Sequence, residues 1–574
     1  MKIKNILNTS PYFYFSKKNI LLLLFVTMSC VAFSQPKFAW SKKFTYADTL
    51  RGALRPERTC FDVTFYDLDV KVDIDKKFIS GTCEIQFLAK EDFKTLQIDL
   101  FQNMKIKQIL CKGEELLYKR EANAVFINCP LQKKGEQGTI KVIYEGNPVT
   151  AIRPPWDGGF VWSSDKKGKP WVGVACEGLG ASCWWPCKDH LSDEPDSVAI
   201  HVTSPSDLFC VANGNLRKKQ DLGNGNTRFD WFVSYPINTY NVTLNIADYY
   251  RLSDTYTSKK DSTTLDLEFY CLSYNVDKAK KQFTQVKPML EAYEYYFDKY
   301  PFWRDGYCLV ETSYLGMEHQ GAIAYGNQYM RGYLGGMIPK DMDWDYIIIH
   351  ETGHEYWGNS ISCNDHAEMW LHESFTTYME SLYVEYTTGY PDAVRYLVNQ
   401  REDIGNKNPI IGPMDVNFDD WEGSDMYYKG AWILHTLRNT IDDDKIFFSM
   451  LKSFYQKNKI SNVTTKQFID YVNTYTQKDY TSFFYQYLYT AKIPVLEYKI
   501  EKKRRAKDIQ VSFRWKAEVE NFDMPIKIGI ASDWKTVTPK TNKWQRISLK
   551  NTSEKDFDVA TQLFLIDVKE VKGQ

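Results

Sequence analysis

The chain carries His350-Glu351-Thr352-Gly353-His354, and 18 residues separate His354 from Glu373 in the run WLHESFTTYME. Residues four apart stack on one face of a helix, so His350 and His354 can aim two imidazole nitrogens at a single cation. Two nitrogens and one carboxylate oxygen form a three-ligand set that suits one zinc ion, with the fourth tetrahedral position left for water. Glu351 stands beside the first ligand, where it can take a proton from that water. HExxH alone also occurs on solvated helices that hold no metal. Here the chain has only 8 histidines, the pattern is complete, the apolar run YIIIH leads into it and Gly358-Asn359 supplies a helix stop.

Three regions must position these residues. From about 58 to 255 the pattern is β: Thr82-Cys83-Glu84-Ile85-Gln86-Phe87 alternates polar and apolar, as does Leu96-Gln97-Ile98-Asp99-Leu100. Turn clusters such as EGNP (145–148) and NGNT (224–227) separate the strands. From about 256 to 492 helical periods dominate, as in VKPMLEAYEYYFDKY. After Ile493-Pro494 strands return: Val511, Phe513 and Trp515 alternate with Ser512 and Arg514, and LFLIDV follows at 563–568. That last stretch fits a small β-sandwich. No internal repeat interrupts this order.

Five blocks, spread over residues 150 to 440 or so, resemble the zinc gluzincin aminopeptidases, the aminopeptidase N and leukotriene hydrolase-like peptidases. HETGHEYWGN (350–359) is similar to the family's HExxHxWxGN, and WLHESF (370–375) to WLNEGF, with His372 and Ser374 as departures. LGMEHQGAIAYGN (315–327) resembles the GxMEN loop, with Leu315 for its glycine and His319 for its asparagine. YYKGAWILHTL (427–437) resembles the Tyr-x-Lys-Gly block, and ACEGLGASCWWPCKDH (175–190) the segment that supplies a second amine-binding acid. The resemblance implies an α+β multidomain fold: an N-terminal antiparallel β saddle domain (35–255), a thermolysin-like α/β catalytic domain (256–492) and a C-terminal small β-sandwich (493–574). It implies a short form, without the large helical C-terminal domain that roofs the site in many members, and so a more open cleft. It makes His350, His354 and Glu373 the zinc ligands, Glu351 the general base and Tyr427 the donor to the oxyanion, with Tyr428 its neighbouring rival. Glu318, then Glu177, would hold the substrate's free ammonium, and Gly316 and Met317 belong to the same substrate-binding loop. His319, His366 and His372 are expected as local hydrogen-bonding or packing histidines. The expected substrates are peptides with a free N-terminus. Epoxide opening at the same zinc and tyrosine is an alternative within the family. A non-catalytic peptide-binding relict is a third reading, but such a relict would be expected to have lost one of these residues.

Bulk properties bound the rest. Lys2, Lys4, Lys17 and Lys18 precede ILLLLFVTMSCVAF (20–33) and Ser34-Gln35-Pro36. This order describes a signal peptide (1–34) cleaved after Ser34, with lipid attachment at Cys30 as the lesser alternative. The run falls short of the ~20 apolar residues of a membrane span, so the mature chain is expected in the periplasm or outside the cell. Its about 540 residues are too many for one core and suggest about three domains. Formal net charge is −1, with no basic stripe to suggest nucleic acid. Of 12 cysteines all but Cys30 follow the leader, and Cys183 with Cys187 is the nearest close pair for a disulfide. Buried thiols acting as small apolar groups are the alternative.

Overall fold

The computed structural model describes Phe38, residues 40–502 and residues 508–572. The expected leader, its cleavage site and Cys30 lie outside these residues. The first helix, α1 (Tyr46–Gly52), opens on a capping box between Thr45 and Asp48, each satisfying the other's backbone N–H. A sheet of eight strands follows. Its central strand, Phe61–Asp73, pairs antiparallel with Phe78–Ala89 and parallel with Ser197–Pro205. All its other pairings are antiparallel. The one parallel contact joins strands more than 120 residues apart, the long crossover that parallel pairing needs and a hairpin cannot supply.

Alternation is read correctly where one face is wet. In Phe78–Ala89, Ile79, Cys83, Ile85 and Phe87 are buried while Thr82, Glu84 and Gln86 are only half covered. In Phe93–Asp99 the polar Gln97 and Asp99 are buried as well, because α1 and Arg58 cover that face: Gln97 Nε2 donates to Leu50 O at 2.9 Å and Asp99 pairs with Arg58. A four-stranded sheet ends its strand Pro170–Ala175 two residues before Glu177.

The next sheet has five strands in the order Tyr249–Thr257, Thr264–Leu272, Tyr307–Glu311, Ile323–Tyr325, Gly316–Met317. The expected boundary between 255 and 256 falls inside its first strand, which hydrogen-bonds to the second from Tyr249 to Thr257. Its edge is the two-residue strand β1 (Gly316–Met317), antiparallel to β2 (Ile323–Tyr325). Helix α2 (Tyr346–Tyr356) lies against this sheet, α3 (Trp370–Thr388) packs on α2, and α4 (Tyr428–Ile441) packs on α3. Two small sheets make up the C-terminal region, one of four strands and one of three. Trp515 packs on Phe522 within it, and Arg401 ties it to the helices through Thr561 O at 2.6 Å.

The eleven cysteines among the described residues are free thiols, Cys183 and Cys187 included, so the disulfide expectation gives way to the buried-thiol one. Among the described residues no helix is long and apolar enough to cross a membrane.

Candidate metal centre and substrate cleft

Helix α2 starts at Asp345, whose carboxylate accepts from Ile347 N at 3.0 Å and from Ile348 N at 3.3 Å. The same carboxylate accepts from Tyr325 Oη at 2.7 Å and Asn327 Nδ2 at 2.8 Å, which pins the helix start to β2. One turn later His350 and His354 face α3. The stop after Tyr356 leaves Trp357 O free to accept from His354 Nδ1 at 3.0 Å.

Three atoms converge between the helices. His350 Nε2 lies 3.2 Å from His354 Nε2, and Glu373 Oε2 lies 3.4 Å and 3.3 Å from them. Ligands about 2.0–2.1 Å from zinc in a tetrahedron are separated by about 3.3–3.4 Å, so this triangle has the size the ion requires. The outer imidazole nitrogens are both engaged. His350 Nδ1 meets Glu380 Oε1 at 2.6 Å, and His354 Nδ1 meets Trp357 O. Donation from Nδ1 leaves each Nε2 lone pair for a metal. Glu373 Oε2 is buried with no hydrogen-bond donor of its own. Burial alone would raise Glu373, but the adjacent His354 and His350 hold it well below the usual carboxylate range. The donor set therefore fits zinc.

Glu351 lines the cleft beside this triangle. Burial pushes it up to about 7 against the pull of the two histidines. A Cβ on Gly316 would stand 2.5 Å from Glu351 Oε1, so the loop approaches the carboxylate this closely only with glycine there. Glu318 follows β1, buried, accepting from Tyr240 Oη at 3.1 Å. Its carbonyl accepts from Asn359 Nδ2 at 2.8 Å, which links the loop to the end of the HExxH segment. Glu177 faces the same space. Burial, then Glu318, Glu373 and Glu351, raises it well above its ordinary value. Two acids that repel one another across a shielded cleft favour a cation between them.

Tyr427 caps α4, its ring centroid 6.0 Å from that of His350. After burial, the groups that most raise it are Glu373, Glu177, Glu318 and Glu351, the carboxylates of the centre. Tyr428 also lines the cleft, but burial and then Glu380 and Asp403, rather than those carboxylates, raise it. The residues after Tyr427 explain its placement. Lys429 Nζ is buried and donates to Thr490 O and Ala491 O, at 3.3 Å and 2.7 Å, anchoring α4. Gly430 lets α4 meet α3, since a Cβ there would lie 1.7 Å from Ser374 Oγ. Ser374 Oγ donates to Met426 O at 2.7 Å.

The cleft, of about 450 Å³, brings together His350, Glu351, His354, Glu373, Glu318, Glu177, Gly316, Met317 and Tyr427. Of His319, His366 and His372, only His366 lines it, pushed down to about 4 by burial. His372 Nε2 accepts from Cys363 N at 2.9 Å, and His319 is fully buried with neither ring nitrogen bonded, a packing residue. Glu380 and Tyr240 are partners that sequence reasoning did not find. Glu380 had a signal: it lies seven residues, two turns, after Glu373 on the same helix face.

Two family models match: "Peptidase M1 N-terminal domain" over residues 63–241 and "Peptidase family M1 domain" over residues 274–487. Aminopeptidase N of Escherichia coli is 23% identical over 450 residues, covering 74% of this chain and 48% of that protein. Aminopeptidase B of Homo sapiens is 24% identical over 325 residues, 54% of this chain and 46% of that one. The chain spans about half or less of the length of the curated relatives it matches. Among solved structures, an M1 zinc metallopeptidase from Deinococcus radiodurans is similar, with TM-score 0.61 and 21% identity over 72% of this chain and 90% of that one. A mutant of an M1 zinc metallopeptidase from the same organism, bound to a Tyr-Ser-Ala substrate, gives TM-score 0.60, at 21% identity over 73% of this chain and 92% of that one.

Proposed function

The chain belongs to peptidase family M1, and from that premise we propose that it is an exported zinc aminopeptidase that removes N-terminal residues from peptides. What supports this most is the triangle of His350 Nε2, His354 Nε2 and Glu373 Oε2 beside Glu351, facing the acid pair Glu318 and Glu177. His350, His354 and Glu373 would hold one zinc ion. When bound, zinc makes water a strong nucleophile near neutral pH and draws charge from the carbonyl oxygen. Glu351 takes the proton of the attacking water and returns it to the leaving amine. The Tyr427 hydroxyl donates to the carbonyl oxygen as it gains charge. Glu318 and Glu177 accept the substrate's ammonium, which places the first peptide bond, and no later one, at the centre. The free edge of β1 offers Gly316 and Met317 backbone groups to an extended peptide. Export is supported by the basic start and apolar run of residues 1–34.

Mass spectrometry of wild-type protein with free and N-acetylated tripeptides tests the assignment. Stepwise loss of first residues from the free peptide alone is expected. Efficient internal cleavage of the acetylated peptide would make the protein an endopeptidase. Glu351→Gln should retain zinc without turnover, and Glu373→Ala should lose the metal.

A further inference from the structure

Residues 40–58 precede both matched regions, yet they reach the cleft walls at two points. The first is Phe418, which is 1% exposed and contacts both the arm and Trp421. Trp40 packs edge-on against Phe418 at 4.6 Å and Phe44 does so at 6.1 Å, while Trp421 meets the same ring at 4.7 Å. Trp421 lines the cleft. Helix α1 ends directly on the same loop: a Cβ on Gly52 would lie 2.3 Å from Asn417 N and 2.4 Å from Val416 N. The second point is the carbonyl of Gly178, the residue after Glu177. Arg51 Nη2 donates to it at 3.1 Å, and Asn417 Nδ2 donates to it at 3.4 Å. Arg51 is held in turn, its carbonyl accepting from the buried Arg58, which pairs with Asp99. The arm, the loop at 416–421 and the turn carrying Glu177 thus meet at one carbonyl and one buried ring.

We propose that this arm is a specificity-determining brace, in which Trp40 and Arg51 act as positioning residues for the pocket that receives the substrate's first side chain. The inference rests on the aminopeptidase reading. An ammonium held at Glu177 and Glu318 puts the first side chain on the stretch of cleft wall that Gly178, Asp419 and Trp421 line. Asp419 Oδ2 already lies 3.2 Å from the point a Cβ on Gly178 would occupy, so the two walls are in close register. That register is set from outside the cleft, by Arg51 on one wall and by Trp40 acting through Phe418 on the other. The arm touches neither Glu351 nor Tyr427, so it governs how well a large first side chain fits rather than the chemical step. Lys42, at 3.9 Å and 3.6 Å from Asp419 and Asp420, is exposed and adds little.

Steady-state kinetics on alanyl, leucyl, phenylalanyl and arginyl 4-nitroanilides test this with Trp40→Ala, Arg51→Ala and Arg51→Lys. Zinc content and Tm are measured on each variant. Misfit by about one methylene in such a pocket is worth roughly tenfold or more. The expected result is a KM for leucyl and phenylalanyl substrates raised about tenfold relative to alanyl, with kcat within about threefold and zinc retained. Arg51→Lys, which keeps one donor for Gly178 O, should recover most of the loss. Folded, zinc-containing variants whose KM is unchanged, or changes equally for all four substrates, would overturn the proposal. Should Arg51→Ala fail to fold, Trp40→Ala decides alone, since its ring is only half-buried. A wild type inactive on every anilide would instead overturn the aminopeptidase reading, and this inference with it.

Discussion

Replacing Glu380 by Gln removes a charge from behind His350 while keeping side-chain volume. Glu380 is completely buried, and its Oε1 accepts from His350 Nδ1 at 2.6 Å. Its Oε2 accepts from Tyr396 Oη and, at 3.1 Å, from Gln400 Nε2. The carboxylate therefore fixes the His350 tautomer, fixes the ring plane and makes Nε2 more basic. A glutamine oxygen can still accept from Nδ1, but as a neutral group, and its NH2 would face the Gln400 donor. Outer partners of this kind change metal affinity by about 10–100-fold, which is about 1.4–2.7 kcal/mol. The same amount disappears from the metal's contribution to stability at fixed free zinc. Competition against a chelator of known zinc affinity gives the Kd of wild type and variant. Thermal melts of the metal-free forms separate lost metal affinity from lost packing. The expected outcome is a Kd at least tenfold weaker, with activity recovering as zinc is added. A folded variant with wild-type zinc affinity would refute the claim that Glu380 tunes the ligand.

Tyr427→Phe should lower kcat by about a hundredfold or more with KM little changed, because its hydroxyl acts only as charge develops; near-normal kcat would move that role elsewhere. Glu318→Ala should raise KM and cut kcat/KM steeply for substrates with a free N-terminus while zinc stays bound, with Glu177→Ala milder. Equal kinetics for wild type and Glu318→Ala would remove the acid from ammonium binding. The last prediction concerns pH. Hydrogen bonding to Asp67, and then to Asp230, raises His201 above its ordinary value despite burial. A raised histidine stabilises the fold fully below its unfolded pKa of about 6.5 and loses that contribution as pH climbs through the folded value. The Tm gap between wild type and His201→Asn should therefore be wider at pH 5.5 than at pH 9, and a gap independent of pH would rule out the linkage.

The helical period alone puts His350 and His354 on one face, and a stop at Gly358-Asn359 bounds their helix. Local rules of this kind reach about as far as one element does. They also separated the β regions from the helical one, because strand and helix periods differ. The nine site residues named from the sequence share one cleft, and for Glu318, Glu177 and Tyr427 that depended on resemblance, since no period relates positions 177, 318 and 427. Where the strand face is covered from elsewhere, the period does not tell wet from buried: Gln97 and Asp99 are the polar positions of an alternating run and are buried under α1 and Arg58. Only tertiary structure decided which groups stand behind the site. Glu380 reaches His350 across two packed helices, Tyr240 reaches Glu318 over 78 positions, and Lys429 holds α4 through carbonyls some 60 residues on. The arm at residues 40–58 meets its loop more than 350 residues away. Such partners carry no signature of their own, because a buried carboxylate or ring is chosen by the surface it meets, and that surface exists only after the chain has closed on itself.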